Sequence, residues 1–195
     1  MTKWTGIVLG MVAMLWPRAG WADERVLILE AAKTSVTFTV KATGHDIAGT
    51  LALGFGQIRF DTETGAASGE VTLDVRRSET GNSLRDWDMH KSVLETERFP
   101  VAVFRPSRIQ GTLPPSGTCD LVLAGIVTFH GSEHVLNVPV RATVIGDSLT
   151  AEAAFDVPYV AWGLRNPSML FLKVAPVVAV TVKTAASLRG EGGAR

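Results

Sequence analysis

The sequence predicts an all-β domain whose antiparallel strands form either a sandwich or a closed barrel. Three observations predict it. Apolar residues recur at every second position through most of residues 35–182. Clusters of glycine, proline and polar residues interrupt those runs at 111–117, 131–132, 146–147 and 163–167. One segment alone, 84–98, carries a helical period instead. The chain has 195 residues and 46% hydrophobic content, which suits one domain with a sizeable core and excludes a disordered chain. Lys+Arg and Asp+Glu both number 19, and no basic block exists, so nucleic acid is not an expected partner.

Before the alternation begins, Lys3 precedes an apolar run over 4–16, followed by Pro17, Arg18 and a small-x-small site at Gly20, Trp21 and Ala22. That order reads as a secretory signal over 1–22, cleaved after Ala22. The run is short for a membrane span, although an uncleaved anchor is the alternative. Loss of Lys3 and Arg18 leaves 17 basic against 19 acidic side chains. The mature domain is expected over 23–188, with a loose tail at 189–195. Cys119 is the one cysteine, so no internal disulfide can form, and a buried inert thiol is expected there. The sole Asn-x-Ser/Thr match, at Asn166, is blocked by Pro167. These features together place the chain in a bacterial periplasm.

The first clean strand places Val36, Phe38 and Val40 on one face and Thr37, Thr39 and Lys41 on the other. In the next, Leu51, Leu53 and Phe55 share a phase that slips across Gly56 and Gln57 to Ile58 and Phe60, as a β-bulge would produce. After a turn at 61–65, Val71, Leu73 and Val75 make a third strand. Further strands are expected around 101–104, 121–129, 135–144, 149–157 and 170–182, with Pro139 and Pro176 marking edges or bulges. Between the third and fourth strands, Ser83 and Asp86 match a capping box, and Leu84, Trp87 and Leu94 then recur at helical spacing. Phe99 and Pro100 end that helix, whose apolar face plugs one end of the sheet.

Few residues suggest catalysis. His130, Glu133 and His134 satisfy the H-x-x-E-H string of one zinc peptidase class, and His45 or His90 could add a ligand. That chemistry needs the histidines one turn apart on a helix. Here Gly131 and Ser132 lie between two strand patterns, so exposed hairpin histidines are the better reading. Gly54, Gly56 and Arg59 begin like a dinucleotide fingerprint but lie inside strand alternation and lack the third glycine. No catalytic residue, metal or cofactor is assigned. His45 with Asp46, and Arg85 with Asp86, are charged pairs near strand ends that could meet a polar ligand group or act as ion pairs and caps.

What remains is apolar surplus. An eight-stranded barrel can be filled by its side chains or can hold one elongated ligand. Phe38, Val40, Leu51, Leu53, Phe55, Leu73, Phe104, Phe129, Phe155 and Leu172 are expected to point inward. Periodicity does not separate a packed core from a lined cavity, and pattern alone favours the packed core.

The chain resembles the YceI-like family of exported bacterial lipid- or polyisoprenoid-binding proteins. The resemblance is carried in order by Ser35 to Phe38, Gly44-His45 to Gly49, and Gly56 to Asp61. It continues through Thr80-Gly81-Asn82, Arg85-Asp86, Met89, Phe99-Pro100 and Phe104, then Gly125 to Thr128 and Gly131. Trp162-Gly163 and Asn166-Pro167-Ser168 close a match over about 26–184. It implies a lipocalin-like antiparallel barrel of about eight strands around a hydrophobic tunnel. The implied ligand is a long isoprenoid or acyl lipid, such as a polyprenyl or quinone-like molecule, bound without catalysis. Met89, Leu94 and Trp162 then join the tunnel lining, and His45, Arg85 and Asp86 form its polar mouth. Gly44, Asp46 and Ala48 depart from the family's pattern there. Transient membrane contact fits this reading, and the sequence carries no signal for an oligomeric state. Its rivals are a metal-dependent hydrolase built on His130, Glu133 and His134, and a docking partner of a membrane quinone or electron-transfer protein.

Overall fold

Period-two alternation gives each strand one apolar face, and such faces are buried together when a sheet curls and closes. The computed structural model describes residues 24–169 and 171–190. The expected signal over 1–22 and the end of the tail, 191–195, lie outside the described residues. Among the described residues, eight strands run up and down: β1 (Glu24–Ala42), β2 (Ile47–Asp61), β3 (Ala67–Glu79) and β4 (Val101–Gln110), then β5 (Gly117–Phe129), β6 (Ser132–Ile145), β7 (Ser148–Val157) and β8 (Val174–Gly190). Each pairs antiparallel with its sequence neighbour, and β8 pairs with β1 to complete a closed barrel. The closed circuit of eight strands decides between the two architectures the sequence allowed, and the mouth half of β6, 132–139, lies outside the β6–β7 ladder.

Several boundaries differ from the sequence reading. β1 begins at Glu24, because its first half pairs with both β2 and the end of β8. β8 starts at Val174 and takes in Arg189 and Gly190, assigned above to the tail, since they pair with Val26 and Arg25. The helical segment is α1 (Ser83–Asp88) followed by a π-helical turn over Met89–Val93, so it ends before 98. Leu94 N–H reaches back to Met89 O at 2.8 Å, and Glu95 at φ 45° breaks the helix. The helix cap is Asn82, whose Oδ1 accepts Arg85 N–H at 3.0 Å, in place of Ser83.

The bulge in β2 also moves. Leu53 pairs with Leu73 but Phe55 with Thr72, which leaves Gly54 as the extra residue. The slip therefore precedes Phe55 and turns it outward, while Gly56 comes inward. A Cβ at Gly56 would lie 2.8 Å from that of Leu29, so the inward position has no room for a side chain. Pro176 does sit at an irregularity, between the pairings Val40–Val178 and Ala42–Val174. Pro139 pairs with Val122 in regular register with β5, and the β6–β7 pairing starts only at Val140, so its missing N–H breaks no bond on that side.

The connections at 62–66, 111–116 and 146–147 lie at one end of the barrel, here called the floor. Ile58, Phe60, Ala142, Val144, Leu149 and Leu188 pack together there and fill the interior. At the other end, the mouth, lie the connections 43–46, 80–100, 130–131 and 158–173. His130 (φ 50°) and Gly131 (φ 77°) make the two-residue hairpin turn between β5 and β6, and two positive φ values match the right-handed strand twist. Val93, Tyr159 and Leu164 form a small core where the helical segment meets the 158–173 connection.

Candidate functional site: a cavity along the barrel axis

Above the packed floor the inward side chains do not meet, and a cavity of about 370 Å³ runs up to the mouth. That volume lies within the roughly 300–1,000 Å³ of typical ligand sites. Its wall alternates along every strand: Val36, Phe38 and Val40 from β1, Leu51 and Leu53 from β2, and Leu136, Val138 and Val140 from β6. Small residues keep the bore open, with Ala102 on β4 and Ala151 and Ala153 on β7. Gly125 belongs to the same device: a Cβ there would lie 2.8 Å from the Phe104 ring, so only glycine lets that ring lie against β5.

Polar groups reach the cavity almost only at the mouth. Thr80, Arg85 and Asp88 contribute to its rim beside Met89, Val93 and Leu94. Thr80 organises this corner. Its backbone N–H and hydroxyl donate to Asp86 Oδ1 at 2.8 and 2.5 Å. Its oxygens in turn accept from Arg85, Nε to the hydroxyl at 2.7 Å and Nη2 to the carbonyl at 2.9 Å. The guanidinium is thereby held at the rim by neutral acceptors, with N–H groups remaining to meet an anionic or carbonyl oxygen. His90 pins the next turn through Nε2–H to Ser78 O at 2.9 Å.

Of the residues expected to line a tunnel, Phe38, Val40, Leu51, Leu53 and Leu73 on the first three strands border this cavity. Met89, Leu94, Phe104, Phe129, Phe155 and Trp162 border it as well. Two expected residues are elsewhere. Phe55 is 52% exposed on the outer surface because of the bulge at Gly54. Leu172 precedes β8 in an exposed turn, where its carbonyl accepts Met169 N–H at 2.8 Å. Of the polar mouth, Arg85 lines the cavity and Asp86 supports it through Thr80. His45 stands exposed in the β1–β2 turn, and Ile47 is the nearest residue of that stretch in the wall. Sequence reasoning missed Thr80, Asp88 and Pro167 on the rim. The inward run of β6 was also missed, although its alternation was available.

The metal-site alternative finds no geometry. His130 lies in the hairpin turn, its ring 4.4 Å from Phe99 and its Nε2 3.3 Å from Glu95 Oε1. His134 is stacked flat on Trp162 at 4.2 Å. Adjacent strand residues point to opposite faces, so Glu133 turns away from His134. Among the described residues, no three His, Cys, Asp or Glu side chains are grouped to hold a metal ion. Burial and the neighbouring Asp120 push the Cys119 thiol above its ordinary range, which disfavours the reactive thiolate.

The profile of one protein family, described as the YceI-like domain, matches residues 28–186. The chain belongs to the YceI-like family. Among solved structures, BcnA of Burkholderia cenocepacia is similar with a TM-score of 0.67 at 18% identity, covering 82% of this chain and 99% of that one. A polyisoprenoid binding domain from Saccharophagus degradans, implicated in plant cell wall breakdown, is similar with a TM-score of 0.63 at 12% identity, covering 84% and 98%. At these identities the likeness is one of fold. No curated protein matches the chain closely enough to extend the comparison. YceI-like membership and the closed eight-stranded barrel agree with the resemblance read from the sequence.

Proposed function

We propose that this YceI-like barrel is a periplasmic carrier or sequestering protein that holds the chain of an isoprenoid or related long lipid in its axial cavity, without catalysis. The observation that carries the proposal is the apolar cavity itself, open-bored above a packed floor, with charged groups only at its rim and the Thr34–Thr184 hydroxyl pair within its wall. Each methylene transferred there from water contributes roughly 0.8 kcal/mol, so a few isoprene units supply micromolar affinity after ordering costs. Arg85, supported by Thr80 and Asp86, would orient the polar end at the mouth, and a quinone or phosphate oxygen suits its remaining N–H groups. His45 on the adjoining turn is the second polar candidate. The polyisoprenoid-binding neighbour from Saccharophagus degradans supports the ligand class. Export rests on the signal features of residues 1–22.

Organic extraction of the purified protein followed by mass spectrometry tests the reading. A stoichiometric long-chain lipid is the expected result. Absence of any such lipid, together with failure of the stripped protein to take up a prenyl alcohol, would overturn it.

A further inference from the structure

The connection between β7 and β8 is built to display apolar side chains at the mouth. Its base is tied by polar bonds. Asn166 Nδ2 donates to Val174 O at 3.2 Å, while Asn166 Oδ1 accepts from Ser168 N–H and Oγ–H at 2.9 and 2.6 Å. Val174 N–H donates to Ser168 Oγ at 2.8 Å, and Lys173 N–H donates to Thr43 Oγ1 at 3.0 Å on the neighbouring β1–β2 turn. Beyond this lock, Met169 N–H closes a turn onto Leu172 O at 2.8 Å. Met169 is 73% exposed and Phe171 91% exposed, with Leu172 exposed beside them. Pro167 and Trp162 of the same connection line the cavity, so the displayed tip is continuous with the cavity wall.

Charge specifies what the tip meets. Arg165 and Lys173 flank it, both exposed, and residues 158–173 contain no Asp or Glu. An apolar tip bracketed by cations suits the boundary between acyl chains and anionic headgroups, where the side chains enter hydrocarbon and the cations stay at the phosphates. We propose that Met169, Phe171 and Leu172, flanked by Arg165 and Lys173, dock the mouth of the barrel on an anionic lipid bilayer. A chain leaving the cavity past Pro167 would then pass between two apolar phases without crossing bulk water. The transfer step rests on the proposed lipid carriage, whereas docking itself does not.

Flotation with phosphatidylglycerol-containing vesicles tests the proposal, with phosphatidylcholine vesicles as the uncharged comparison. All variants keep the same N-terminus, so residues 1–22 cancel. The wild type should float with the anionic vesicles and lose binding as salt rises. Phe171→Ser should reduce partitioning about tenfold or more. Arg165→Gln and Lys173→Gln should each reduce it about fivefold, on anionic vesicles alone. Ile145→Ser removes an apolar side chain, 73% exposed, at the floor and should leave partitioning unchanged. Failure of the wild type to float, or equal losses from Phe171→Ser and Ile145→Ser, would overturn docking by this tip. So would a dimer that F171S dissociates without any vesicle binding, since the tip would then contact a second copy. Lipid content of the same preparations is measured in parallel. Lost flotation with retained lipid indicts docking alone, and flotation without any lipid indicts carriage alone.

Discussion

Ala153 offers a direct way to test whether the bore is a binding volume. It is buried on β7, faces the cavity, and pairs with Val140 and Val182, which also line it. Ala153→Leu adds three carbons to the wall and removes room for about that many ligand carbons. At roughly 0.8 kcal/mol per methylene, the lost burial comes to about 2.4 kcal/mol, or a 50-fold weaker affinity for a chain that fills the bore. The apo protein should not suffer, because the new side chain enters existing space and gains contacts where a packed core would be strained. Affinity can be read by titrating a C20 prenyl alcohol while following Trp162 fluorescence, and stability by thermal unfolding. Unchanged affinity would refute the reasoning by showing that the ligand does not occupy this level of the barrel. A fall in Tm of many degrees would refute it differently, since the interior would then be packed.

Thr80→Val removes the hydroxyl that donates to Asp86 Oδ1 and accepts from Arg85 Nε, leaving only the two backbone bonds between them. A cost of about 1–3 kcal/mol follows, with faster hydrogen exchange in α1 and weaker binding of ligands with an anionic head than of plain hydrocarbons. Gly49→Ala would set a Cβ 2.3 Å from Phe38 Cζ and 2.6 Å from Glu79 O. Overpacking of this kind costs about 1–3 kcal/mol, read as a Tm drop of roughly 2–4 °C per kcal/mol. The carboxyl of Asp74 is held low, chiefly by its hydrogen bonds from the Arg76 side chain, against a smaller opposing effect of burial. A depressed folded value means that its stabilisation is complete above the ordinary Asp value of 3.8 and is lost as pH falls through the lower folded value. Asp74→Asn should therefore lower Tm modestly at neutral pH, where that stabilisation is complete, and converge with the wild type in acid, flattening the acid limb of a Tm-against-pH curve.

Strand positions were legible because each strand has one apolar face, and Val36, Phe38 and Val40 declare theirs without reference to anything distant. The differences in strand phase and extent share a cause: each was decided by a partner far away in sequence. Phe55 looks inward by local phase, yet contact between Gly56 and Leu29 on β1 sets the bulge one step earlier and reverses it. The first half of β1 carries little alternation and is ordered by β2 and by the end of β8, at the far end of the chain. Cavity and core were indistinguishable because Val140, which lines the bore, and Val144, which fills the floor, lie on one face of one strand. Only the diameter available at each level separates them, and that depends on residues such as Ala102, Ala151 and Gly125 on other strands. The polar rim was half legible. Arg85 and Asp86 stood out as charges, whereas Thr80 acquires its role only when β3 delivers it beside α1.

If the barrel carries a lipid as proposed, its packed floor would make it a gauge of length. A chain entering at the mouth would stop where Ile58, Phe60 and Leu149 meet, so the depth above them would fix how many carbons can be hidden. Shorter chains would leave unfilled hydrocarbon space beneath them, and longer ones would push their polar ends past Arg85 into the medium. Selectivity by length then needs no contact with the ligand's end, because one closed terminus measures every guest from the same zero.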